Sequence, residues 1–175
     1  MRIQMVTERL IIRNFAEADW SDVFLYTSDP AVMKYLPEGV MTQEDTQKLV
    51  NENLRDDATK FSILLREDNQ LIGHIAFFPY FGDHTYEIGW VLNPKYYNCG
   101  YATEAAKAFL NYGFQQLNLH RIVATCQPEN VPSFKLMEKI GMRREGYFKK
   151  CIPHGDVWWD EYAYAILKEE HLSGG

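Results

Sequence analysis

The stretch from Tyr86 to Gly113 constrains this chain of 175 residues more than any other. A strand-like run, EIGWVL, leads into NPKYYNCGYA and then into TEAAKAFLNYG. Extended chain therefore breaks at Asn93-Pro94, crosses a loop that ends at Gly100, and enters a helical pattern from about Tyr101. A helix entered through glycine leaves several backbone N–H groups unpaired and points the positive end of its dipole at whatever occupies the loop. A phosphate or pyrophosphate would satisfy both. An ordinary strand-loop-helix connection has the same local grammar, and this stretch alone leaves the two readings open.

The length suits one domain with a real core, so a single domain over residues 1–175 is expected. With 46% hydrophobic and 24% charged residues the composition is that of an ordinary folded chain. A formal net charge of −6 argues against a general nucleic-acid binder, which needs a basic stripe, and permits a cationic partner. No apolar run is long enough to span a bilayer, which points to a cytoplasmic protein without a membrane partner. Cys99, Cys126 and Cys151 are an odd set without a CxxC pair, and the five histidines are scattered. Neither a disulfide framework nor a metal site is expected.

Taken in order, TERLIIR (Thr7 to Arg13) reads as a strand and WSDVFLYT as a helix, and Asp29-Pro30 starts a short helical turn. Thr42 and Asp45 form a capping pair for a helix over about Gln43 to Arg55. This N-terminal third carries no chemical motif and is the natural place for substrate choice. FSILLR, LIGHIAFFPY and TYEIGWVL then read as a three-stranded meander. Alternation on the last of these separates Tyr86, Ile88, Trp90 and Leu92 from Glu87, Gly89 and Val91. The helix from Tyr101 bears a core stripe, and IVATC is a buried-type strand that a right-handed crossover makes parallel to the central one. Asn130 is a good N-cap for a short helix with Pro132 in its first turn and Gly141 as its stop. MRREGYFKKCI and VWWDEYAYAIL, joined by Pro153-His154-Gly155, make a final hairpin, and HLSGG reads as a loose tail.

With these segments in this order the whole chain resembles the GNAT superfamily of acetyl-CoA-dependent N-acetyltransferases. Within it the chain is similar to the branch that acetylates ribosomal-protein N-termini. The residues carrying the resemblance are TERLIIR, GWVLNPKYYNCGYATEA, ENVPSFKLMEKIGMRREG and the Trp- and Tyr-rich last strand. The resemblance implies a mixed α/β (α+β) fold: a central sheet of about seven strands, splayed between two parallel strands, with flanking helices. It also implies that Tyr97-Asn98-Cys99-Gly100-Tyr101-Ala102 is the pyrophosphate loop, although Tyr97 stands where the general pattern has Gln or Arg. The donors there are main-chain N–H groups, so only Gly100 and Ala102 must stay small. By the same resemblance Asn98, Cys99, Gly100, Tyr101, Ala102 and Thr103 cradle the pyrophosphate of acetyl-CoA. Trp90, Val91 and Leu92 pair their backbone with the pantetheine arm, and Asn130 reaches that arm as well, a role compatible with capping.

Acetyl transfer to an amine needs a neutral amine, a donor for the carbonyl oxygen and help for the departing thiolate. The family places the oxygen at a backbone N–H near Val91 or Leu92. Ser133 is the candidate for the thiolate, beside the plainer reading of a helix-start hydroxyl satisfying backbone. Glu87 and Asp160 are the candidate bases, and either is equally readable as a structural acid. Direct attack in a ternary complex is expected, because no nearby His supports Cys99 as a nucleophile. The acceptor implied is a primary amine, first a protein N-terminus. Small amines such as polyamines or aminoglycosides are the alternative, and a non-catalytic acyl-CoA sensor is the rival from another class. The assembly expected is a monomer or homodimer.

Overall fold

The structure, a computed structural model, describes residues 2–173. Eight strands form one mixed sheet in the order β1-β2-β3-β4-β5-β6-β8-β7. By the density of their internal contacts the residues fall into two units, Met1–Phe77 with Trp90–Ala108, and Phe78–Gly89 with Phe109–Gly175.

The first unit begins with β1 (Gln4–Val6), antiparallel to β2 (Leu10–Arg13), which pairs in turn with β3 (Lys60–Leu65). β1 is the strand beyond the seven expected. Three residues of alternating exposure without a buried side chain carry no legible pattern, and the turn at Thr7, whose N–H and hydroxyl engage Leu10, decides it. β3 then pairs with β4 (Leu71–Pro79). α1 (Trp20–Thr27), α2 (Pro30–Met33) and α3 (Gln43–Glu52) lie between β2 and β3 in the chain. Thr42 and Asp45 form the expected capping box at the start of α3. The helix stops before the expected Arg55 because Asn53 leaves helical geometry: its side chain donates to Leu49 O and accepts from the N–H groups of Thr59 and Lys60. Phe15, Val23, Tyr26, Leu49, Val50, Leu64 and Leu71 form one core cluster, and Tyr26 Oη meets His74 Nδ1 at 2.8 Å inside the protein.

β5 (Thr85–Leu92) and α4 (Tyr101–Gln115) each contribute to both units. In the second unit β5 runs parallel to β6 (Arg121–Cys126), as the crossover rule requires. Their ladder joins Thr85, Tyr86 and Glu87 to Arg121, Ile122 and Val123, so Ile88 and Gly89 have no ladder partner on that edge. β6 pairs on its other side with β8 (Val157–Leu167), which pairs with β7 (Arg143–His154). The hairpin turn is Gly155-Asp156, not Pro153-His154-Gly155, since His154 lies opposite Val157. The His154 ring stacks on Trp159 at 3.6 Å, and Pro153 is tolerated because β7 is the sheet's last strand. α5 (Val131–Lys139) ends as expected at Gly141, which has φ +90°. The expected loose tail is partly helical: α6 (Lys168–Ser173) starts where Glu170 accepts the Leu167 N–H, and His171 packs on Phe114. Gly174 and Gly175 lie outside the described residues. Among the described residues no helix is long and apolar enough to cross a membrane, and no group of three or more His, Cys, Asp or Glu could hold a metal ion.

Candidate active site

In the first unit the loop is built from Asn93 onward. The Asn93 N–H bonds to Ile72 O and its side chain accepts from the Lys95 N–H, which fixes one tight turn over Pro94–Tyr96. Asn98 (φ +60°) and Gly100 (φ +82°) then take left-handed backbone, a conformation that asparagine tolerates and glycine favours. The first intrahelical bond of α4 runs from Glu104 N–H to Gly100 O at 3.0 Å. The N–H groups of Tyr101, Ala102 and Thr103 therefore precede the helical ladder and are its natural anion donors. A Cβ at Gly100 would meet only Arg9 Nη2, at 3.4 Å, so the glycine answers to backbone conformation rather than to crowding. Cys99 is exposed and its thiol points back at Tyr97 O.

Upstream of the loop, Trp90 and Val91 are half-buried and Leu92 is buried. A Cβ on Gly73 would lie 2.4 Å from Val91 O and 2.9 Å from Leu92 Cα, so β4 carries glycine where the β5 backbone leans on it. Sequence reasoning passed over Gly73, although a glycine inside a strand is the ordinary sign of close backbone approach.

In the second unit Glu87 is half-buried and accepts from Thr125 Oγ1 at 3.2 Å. Burial pushes its carboxyl up, Thr125 opposes this, and the charge of Glu161 adds to it. Glu161 is itself half-buried and pushed up by burial against the same Thr125 hydroxyl. Two carboxyls on β5 and β8 thus share one hydroxyl on β6. Glu161 and Thr125 were missed in the sequence, where Asp160, one residue earlier, was the candidate. Asp160 is committed elsewhere: it accepts from Tyr147 Oη and from the Lys150 N–H, and these bonds hold its carboxyl below the usual range.

Ser133 sits in the first turn of α5, its N–H bonded to Asn130 O and its hydroxyl in reach of Cys126. Burial pushes the Cys126 thiol up to about 11, with Ser133 working against the shift. Asn130 occupies the N-cap position, but its side chain makes no capping bond. A ψ of 64° replaces the extended backbone that brings a cap oxygen onto the helix N–H groups, so the expectation of a side-chain cap fails and the amide is left for other partners. On β8, Tyr162 carries Phe134, Tyr147 and Tyr164 as aromatic neighbours and lies under the Arg144 guanidinium.

The family model described as an acetyltransferase (GNAT) domain matches residues 9–143. YnaD of Bacillus subtilis, an uncharacterized N-acetyltransferase, is 63% identical over 168 residues, covering 96% of this chain and 99% of that protein. The crystal structure of a GNAT-family acetyltransferase from Bacillus anthracis superimposes with a TM-score of 0.93 at 63% identity, covering 95% of this chain and 99% of that one. A more distant relative, the ribosomal protein uS5 alanine N-acetyltransferase of Escherichia coli, is 22% identical over 187 residues, covering 99% of this chain and 95% of that protein.

Proposed function

This chain belongs to the GNAT family of acetyl-CoA-dependent N-acetyltransferases, and from that premise we propose that its acceptor is the α-amino group of a protein N-terminus. The observation that carries the acceptor is Glu87, a half-buried carboxyl pushed up by burial and hydrogen-bonded by Thr125. An α-ammonium has a pKa of about 8 and an alkylammonium of about 10.4. A raised carboxylate narrows both gaps and leaves the smaller one to the first, and a base works best when that gap is small. The relative named for acetylating alanine of a ribosomal protein supports the same acceptor class.

The residues present suit acetyl-CoA. Left-handed Gly100 opens the loop to a main-chain approach, the first N–H groups of α4 are unused by the helix, and the Asn130 amide makes no cap. Bound acetyl-CoA supplies the reactive thioester. Asn98 to Thr103 hold its pyrophosphate through N–H groups, and Asn130 takes a polar group of the pantetheine arm, along which Trp90, Val91 and Leu92 offer backbone partners. The N–H at Val91 or Leu92 donates to the carbonyl oxygen where negative charge builds. Glu87 removes a proton from the acceptor ammonium, directly or through water, and the Ser133 hydroxyl donates to the departing sulfur. Asp160 is the weaker base, because its bonds to Tyr147 and Lys150 stabilise the charged form. Attack by the amine is direct: a Cys126 thiol pushed up to about 11 stays protonated at neutral pH.

A second carboxyl, Glu161, favours the other reading, a small polycation such as a polyamine, and one experiment separates the two. Release of free CoA thiol is followed with peptides bearing a free N-terminal Ala or Ser, with the same peptides blocked, and with spermidine. The free peptides are expected to exceed spermidine about tenfold in kcat/KM. Turnover confined to spermidine overturns the N-terminal acceptor, and CoA binding without turnover on any amine makes the protein a sensor.

A further inference from the structure

Arg9 stands outside every role assigned above, yet its side chain bonds both the first turn of α4 and the loop before it. Its backbone N–H donates to Glu104 Oε1 at 2.9 Å and its Nε to Glu104 Oε2 at 2.7 Å. Thr7 Oγ1 donates to the same Oε1 at 2.6 Å. Having fixed the carboxylate of the first turn of α4, the guanidinium spans to the loop itself, where Nη1 donates to Cys99 O at 2.9 Å. Its plane also covers the Tyr101 ring, with Cζ 4.6 Å from the centroid. We infer that Arg9, anchored on Glu104 and Thr7, is a positioning residue that holds the Cys99 carbonyl back and so keeps the N–H groups of the loop aimed at the cofactor.

Two physical arguments support this. Cys99 lies between the left-handed Asn98 and Gly100, so its peptide is the one whose rotation would swing a carbonyl towards a bound pyrophosphate. Glu104 also places a negative charge in the first turn, which suits the helix dipole but repels a neighbouring anion. Arg9 cancels it while Thr7 and Arg9 hold the carboxyl below its usual range against the effect of burial. Arg9 is the exposed member of the pair, and an ion pair whose guanidinium stays in water adds little to stability. The consequence of this one is therefore expected in binding rather than in folding.

The inference rests on the acetyl-CoA reading, and its test keeps the two apart. Calorimetry with CoA and with dephospho-CoA is run on the wild type, Arg9→Ala and Arg9→Lys, beside steady-state kinetics. Arg9→Ala is expected to weaken both compounds equally, by about tenfold, and to raise the KM for acetyl-CoA while kcat and the KM for the amine stay within about twofold. Arg9→Lys is expected to recover less than half of the loss, because an ammonium cannot bridge Glu104 and Cys99 O as a planar fork does. Arg9 also lines a cleft of about 360 Å³ with Arg66, Tyr101, Glu8 and Glu67. A loss seen with CoA but not with dephospho-CoA would mean direct contact with the 3′-phosphate from that cleft and would overturn positioning. Unchanged affinity in Arg9→Ala overturns it too, and a wild type that binds neither compound overturns the acetyl-CoA reading together with it.

Discussion

His74 on β4 and Glu87 on β5 are both titratable groups withdrawn from water on strands, and they reach opposite ends. His74 is 4% exposed and Tyr26, wholly buried, meets its Nδ1 at 2.8 Å. Burial, with Lys60 adding and Glu38 opposing, pushes the imidazole down to about 3, so it is neutral at any working pH. Glu87 is only half-buried, and its one hydrogen-bonded hydroxyl is claimed by Glu161 as well. Full burial with a dedicated partner removes a group from acid-base chemistry. Partial burial with a shared partner moves a carboxyl towards neutrality and leaves it able to exchange a proton.

The largest effect expected from this contrast is in stability against pH. The folded His74 pKa lies below the unfolded value, so between about 6.5 and about 3 the unfolded chain binds the extra proton and stability falls as pH falls. Denaturant titrations at pH 7 and pH 4 are expected to show the wild type losing ~3 kcal/mol more than His74→Gln, whose amide accepts from Tyr26 without titrating. Equal losses would put His74 in water and end the comparison.

Glu87 carries the next effect and the opposite sign. Its folded pKa is raised, so the folded state holds the extra proton above the unfolded carboxylate value, and stability falls as pH rises towards the folded value. Glu87→Gln is therefore expected to leave the protein at least as stable at pH 7 while lowering kcat about 100-fold. A variant that loses stability and keeps its rate would make Glu87 a structural acid of the same kind as His74. The smallest effect belongs to Glu161. Removing its charge in Glu161→Gln is expected to move the acid limb of kcat/KM to lower pH, since a like charge no longer opposes ionisation of Glu87. An unmoved limb would uncouple the two carboxyls.

What was legible in the sequence and what was not follow one physical line. The capping box at Thr42 and Asp45, the stop at Gly141, and the start of α4 at Tyr101 just after Gly100 are all local, set within about four residues by backbone conformation and hydrogen bonding. Asn130 shows the limit of that rule. The residue type and position are those of a cap, yet the backbone enters α5 at an angle that withholds the side chain. Glu161 was overshadowed by Asp160 because alternation places neighbours on opposite faces but cannot say which face carries the Thr125 side chain of β6.

By itself the sequence determined the family, the order of the elements after β1 and the strand-loop-helix junction that ends at Gly100, because these rest on short-range patterns along the chain. Only the tertiary structure decided which acids surround the Thr125 hydroxyl, that β5 and β6 share no more than a three-residue ladder, and that Arg9 reaches across 95 positions to Glu104. Strand register and long-range side-chain partners are set by how the whole sheet packs, and no window of neighbouring residues contains that information.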